Sequence, residues 1–264
     1  MEIYGYVASL FIGLSLGLIG GGGSVLTVPV LVYLFSVEPV MATAYSLFIV
    51  GSTSLVGAIP KYKEGLVNMK TAIVFGIPSI ASVYFTRRII VPAIPDNIAT
   101  IAGFELTKPI LFMLLFAVLM VFASYSMIVN NKKETDDNIK QVFNYPLIMI
   151  EGLVVGLLTG IVGAGGGFLI IPALVLLSKL PMKQAVGTSL VIIAAKSLIG
   201  FLGDLSHNTT VDWVLLSKVT GLAIIGIFAG NYFSKKIDGT VLKKSFGWFV
   251  LVLGVYIILK ELYI

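Results

Sequence analysis

The residues of this chain best suited to hold a ligand are glycines. Gly20-Gly21-Gly22-Gly23-Ser24 and Gly163-Ala164-Gly165-Gly166-Gly167 each interrupt an apolar segment. Each glycine costs a helix about 1 kcal/mol relative to alanine, so runs of this kind unwind it. A break followed by a new helix leaves free N–H groups at the positive end of a dipole, a setting that suits an anion. At membrane depth, irregular backbone survives only where protein buries it or where it lines a wet cavity. Isolated pairs such as Gly13 and Gly17 are read more simply, as places where helices approach closely.

One charge stands out beside these glycines. Lys196 sits in the middle of the apolar run 184–203, too far from either end to reach water along its own stem. Such a lysine is expensive and faces a cavity or a partner, for which Asp204 and Glu151 are the candidate carboxylates. It belongs to a helical stripe of Ser189, Ile193, Lys196 and Gly200, matched earlier in the chain by Ser46, Val50, Thr53 and Gly57. The hydroxyls of Ser52, Ser54, Thr188 and Ser197 are weaker signals, since such groups often bond their own helix backbone. The candidate anion site is therefore Gly20, Gly21, Gly22, Gly23, Ser24, Ser46, Thr53, Gly163, Gly165, Gly166, Gly167, Thr188, Ser189, Lys196 and Ser197.

The elements that must position these residues are membrane helices. The 264-residue chain is 58% hydrophobic and 12% charged, about half the charge that a soluble domain of this size carries. Its apolar runs are of helical membrane-spanning length, and they are continuous, which excludes the alternation of a membrane barrel. The fold class is all-α, a polytopic helical membrane protein. No cleavable leader is evident in the run Ile3–Ile19, which lacks a basic start and ends in glycines.

One constant shift along the chain places Gly13 on Gly156, Gly17 on Gly160, Gly20 on Gly163, Pro29 on Pro172, Ser46 on Ser189 and Gly57 on Gly200. The chain thus divides into a first transmembrane repeat (1–129), a polar linker (130–144) and a second repeat (145–264). Paired helix breaks in two repeats mark the substrate site of a secondary transporter. If 3–35 is one broken span, the repeats are parallel; if it re-enters, they are inverted. Cytoplasmic loops carry excess Lys and Arg. The re-entrant arrangement gathers Lys61, Lys63, Lys70, Lys132, Lys133, Lys140, Lys179, Lys183, Lys235, Lys236, Lys243 and Lys244 on one side, and leaves Arg87, Arg88, Lys108 and Lys260 on the other. The spanning arrangement divides them almost evenly. Inverted repeats with both termini outside are therefore preferred.

At these residues the sequence resembles the sulfite exporter TauE/SafE family of anion permeases. The resemblance is carried by GLSLGLIGGGGSVLTVPVLVYL (13–34), ATAYSLFIVGSTSLVGA (42–58), RRIIVPAIPD (87–96), GLLTGIVGAGGGFLIIPALVLL (156–177), AVGTSLVIIAAKSLIGFLGDL (185–205) and NTTVDW (208–213). It covers nearly the whole chain and both halves. It implies secondary transport of small sulfur-containing anions or organosulfonates, often outward, in a prokaryotic inner membrane. Ala44-Tyr45-Ser46 in the first copy departs from Gly187-Thr188-Ser189 in the second, so the two half-sites are unequal.

An anion channel is the main alternative, since glycine breaks alone do not exclude a pore. An intramembrane enzyme is disfavoured: the chain has no cysteine and one histidine, His207, placed in a loop, and its carboxylates form no dyad. No cofactor and no metal are expected. The expected partners are a small inorganic or organic anion and the lipid bilayer, with a homodimer as a further option. The net charge of +5 reads as basic cytoplasmic loops, with no nucleic acid involved.

Overall fold

A computed structural model describes residues 2–101, 104–129, 145–163, 165–176, 180–205, 211–234 and 239–263. The linker 130–144 and His207 lie outside the described residues. The fold is helical almost throughout, as the continuous apolar runs require. Helix α1 (Glu2–Ile19) leads into a 3₁₀ turn (Gly20–Leu26) and α2 (Thr27–Leu34). Then come α3 (Pro39–Lys63), α4 (Met69–Ala93), a small hairpin of β1 (Asn97–Ile101) and β2 (Phe104–Thr107), and α5 (Lys108–Val129). The later part holds α6 (Tyr145–Val162), α7 (Gly167–Leu176), α8 (Met182–Leu205), α9 (Trp213–Ser234) and α10 (Gly239–Tyr263). Among the described residues, α3, α4, α5, α6, α8 and α9 are long and apolar enough to cross a membrane.

Local sequence fixes where these helices start. Glu38 accepts the Met41 N–H at 2.9 Å ahead of Pro39, and Asn68 accepts the Thr71 N–H at 3.0 Å. Asp212 takes the N–H groups of Val214 and Leu215. Each side-chain oxygen satisfies donors that a helix start leaves free. The outward faces remain apolar, with Phe122, Ile77 and Ile225 all more than 60% exposed, which is the surface that lipid covers.

The segment from α1 to α2 doubles back. Gly23 lies against Ser15 and Leu16, and at the open end the rings of Tyr6 and Phe35 stack edge-on at 5.2 Å. Both ends of this first hairpin are thus on one side of the bundle, here the near side. Helix α3 runs from the near side to the far side, and α4 returns, so that Arg87 near its end reaches Thr43 near the start of α3. Helix α8 is antiparallel to α3: Gly187 meets Leu66, Gly51 meets Leu198 and Gly200 meets Leu47. Helix α10 is antiparallel to α5, with Gly247 at Met127 and Gly254 at Met120. Both α1 and the end of α10 lie on the near side, where the Tyr33 hydroxyl donates to Glu261 at 3.0 Å.

The second hairpin has the opposite sense. Helix α6 runs parallel to α4, with Gly152 at Phe75, Gly156 at Ser79 and Gly160 at Thr86, so it starts on the far side. Helix α7 returns there, where Leu180 N–H closes on Leu174 O at the approach to α8. In both segments the chain doubles back at its glycine break, which is the geometry that re-entry requires. The β-hairpin was not anticipated. Its register pairs Thr100 with Glu105 and Ile101 with Phe104, and its β-branched residues are too few to distinguish it from a loop in sequence.

Candidate functional site

The two glycine breaks cross. Gly21 of the first turn and Gly167, the first residue of α7, touch backbone to backbone, and a side chain on either would overlap the other's main chain. This is the reason that glycine is required there. Gly165 packs on Val50 and Ile193, the matched positions of α3 and α8, and Gly21 also rests on Ile193. The helices bearing the two predicted stripes therefore flank the crossing. The tips of the hairpins reach past it. Gly20 meets Val186 near the start of α8, and Gly163, at φ 73°, meets Thr43 near the start of α3.

Lys196 lies at this crossing and is 0% exposed. Its Nζ donates to Thr159 Oγ1 at 2.9 Å, and Gly166 borders it closely. An ammonium carries three N–H donors. Among the described residues Lys196 has that one hydrogen-bond partner and no carboxylate within ion-pair reach. Asp204, a partner that the sequence offered, instead lies 3.4 Å from Arg87 Nη1. Glu151 does not reach the lysine either; its carboxylate oxygens are buried on α6 without a partner among the described residues.

The other predicted residues divide into two groups. Gly165, Gly166 and Gly167 surround the crossing with Gly21 and Lys196, and Gly22 and Gly23 complete the first turn. The hydroxyls of Ser46 and Ser197 are buried on α3 and α8 without a partner among the described residues, which leaves them open to a ligand or water. Three hydroxyls instead bond nearby backbone: Ser24 to Gly21 O at 2.8 Å, Thr53 to Ile49 O at 2.6 Å and Ser189 to Val186 O at 2.8 Å. Thr188 accepts the Asn68 N–H at 2.9 Å, tying α8 to the turn before α4. Two buried polar residues, one at the crossing and one apart from it, were not anticipated. Thr159 reads in sequence as one more small residue on α6, and Arg87 reads as half of a basic loop pair with Arg88. The signal for Arg87 is its place on the buried stripe Ala72, Gly76, Ser79, Val83 of α4.

Comparison with known proteins finds probable membrane transporters. A "Probable membrane transporter protein" of Xylella fastidiosa (strain 9a5c) is 28% identical over 257 residues, covering 95% of this chain and 92% of its own. "Probable membrane transporter protein YdhB" of Bacillus subtilis (strain 168) is 28% identical over 234 residues, covering 89% of this chain and 91% of its own. No solved structure matches the chain. The family model described as sulfite exporter TauE/SafE matches residues 6–257. With residues 6–257 matched, nearly its whole length, the chain belongs to the sulfite exporter TauE/SafE family of membrane transporters.

Proposed function

We propose that this protein is a secondary transporter that exports small sulfur-containing anions, such as sulfite or organosulfonates, across a prokaryotic inner membrane. The observation that carries this reading is Lys196, a fully buried ammonium without a counter-charge among the described residues, placed where the glycine breaks cross. Leaving an ion unpaired in the interior costs several kcal/mol. An anion at about 4 Å from it returns roughly 4 kcal/mol at an effective dielectric of about 20, near a thousandfold in affinity. The start of α7 at Gly167 adds the positive end of a helix dipole to the same place. The family description, which names sulfite, supports a sulfur-oxyanion substrate.

The two halves, 1–129 and 145–264 around the linker, act as inverted repeats. Contacts between them come in matched pairs: α1 with α9 and α6 with α4, α3 with α8, and the first glycine turn with α7. Hairpins that enter from opposite sides and cross at the centre suit alternating access, each hairpin closing one face in turn. The far side carries Lys61, Lys63, Lys70 and Lys183 and faces the cytoplasm, which leaves both ends outside.

Saturable counterflow of labelled sulfite or an organosulfonate in proteoliposomes tests the proposal. Counterflow that saturates with trans-substrate supports it. Anion current without saturation would make the protein a channel, and a chemically altered product would make it an enzyme.

A further inference from the structure

A second buried cation lies apart from the crossing. Arg87 is 1% exposed, yet its guanidinium is engaged along one edge only. Nη1 donates to Thr43 Oγ1 at 3.0 Å and lies 3.4 Å from Asp204 Oδ2. Nε and Nη2 have no partner among the described residues. These are the two nitrogens whose N–H groups point the same way along the side of the guanidinium plane, spaced to take two oxygens of a single oxyanion. Buried donors are rarely left unmade, because each forfeits its hydration without replacement. The hydroxyl of Thr86, the neighbouring residue, is also buried and without a partner.

The backbone places this edge deliberately. Helix α4 widens to a π turn at Thr86–Ile90, closed by Val91 N–H on Thr86 O. Such turns inside α-helices are frequent at functional sites. Gly203 of α8 borders the first side-chain carbon of Arg87, and a side chain there would crowd the arginine stem. The second hairpin also reaches this place. Gly163 packs on Thr43, the hydroxyl that Arg87 holds, and Gly160 packs on Thr86. The same hairpin thus touches Lys196 through Thr159 and Gly166, and the Arg87 group through Gly160 and Gly163. Asp204 follows Lys196 along α8 by about 12 Å of helix rise towards the near side.

We propose that Arg87 forms a second anion station between the crossing and the near side, where Nε and Nη2 bind two oxygens of one sulfite, sulfonate or similar oxyanion and the Thr86 hydroxyl assists. The proposal rests on the transporter reading and adds where oxyanions are told apart from other anions. Lys196 is a point charge that serves any small anion. The Arg87 fork requires two oxygens on one centre, so a halide gains little there.

The test is binding to the purified full-length protein, with sulfite, methanesulfonate and chloride as probes. Arg87→Lys keeps a positive charge beside Asp204 but removes the fork. It is expected to weaken both oxyanions about tenfold and to leave chloride unchanged. The double variant Arg87→Gln with Asp204→Asn removes both charges of this pair together, so neither is left without the other, and it is expected to show the same selective loss. Lys196→Met is expected to weaken all three probes alike. Wild-type oxyanion affinity in both Arg87 variants, or equal loss of oxyanion and chloride binding, would overturn the station while the transporter reading stands. Wild-type protein that binds and transports none of the probes would overturn both.

Discussion

In the proposed reading, Lys196 and the glycines around it set the chemistry at the scale of single residues. Lys196→Met replaces the ammonium with an apolar chain of similar length, so the fold is expected to persist while anion affinity falls at least about a hundredfold. Ligand-free thermal unfolding checks the fold and anion titration checks the affinity. Gly167→Val is expected to act in the opposite way. Its side chain would have to occupy space held by the Gly21 backbone, and overpacking of a tight core costs about 1–3 kcal/mol or more. A lower melting temperature and lower yield of folded protein are expected, and a neutral result would mean that the two turns do not meet. Lys196 was legible in the sequence because its distance from both ends of an apolar run leaves a charge nowhere to go. Arg87 was not, because Arg87-Arg88 resembles any basic pair at a membrane edge and only a helical stripe distinguishes the buried member from its exposed neighbour.

At the scale of elements, the hairpins decide the architecture. The glycine runs showed where helices break, since propensity alone forbids four glycines a regular helix. They did not show which way the chain leaves the break. That is set by packing that the sequence does not display, such as Tyr6 on Phe35 and Gly163 on Thr43. The absence of native cysteine makes re-entry directly testable. Tyr6→Cys with Phe35→Cys is expected to join under a short bifunctional thiol reagent, read by mass spectrometry of the digested protein. A broken helix that spans would hold these positions on opposite faces, and no link would form. The β-hairpin is a different case: four or five residues per strand carry too short a pattern to separate strand from loop.

For the whole molecule, the constant shift between glycine blocks indicated a duplicated chain, and the distribution of lysines favoured opposed copies over parallel ones. The membrane fold itself was legible because lipid imposes long apolar segments on any sequence that crosses it; duplication and opposed copies stay part of the proposed reading. With the near side outside, an impermeant thiol reagent on intact cells is expected to label Asn97→Cys in the exposed β-hairpin and to spare Lys63→Cys at the far end of α3. The reverse pattern would place both ends in the cytoplasm. Alternating access adds a further expectation. In the proposed reading, the backbone contact of Gly21 with Gly167 is the interface along which one half slides against the other.

The central claim is that a buried, unpaired lysine at the crossed glycine turns binds the transported anion. Counterflow of labelled sulfite in proteoliposomes, compared between the wild-type protein and Lys196→Met at equal folded content, tests it most directly. Saturable counterflow in the wild type that is nearly abolished in the variant is the expected result. Counterflow with unchanged KM and rate in Lys196→Met would contradict it.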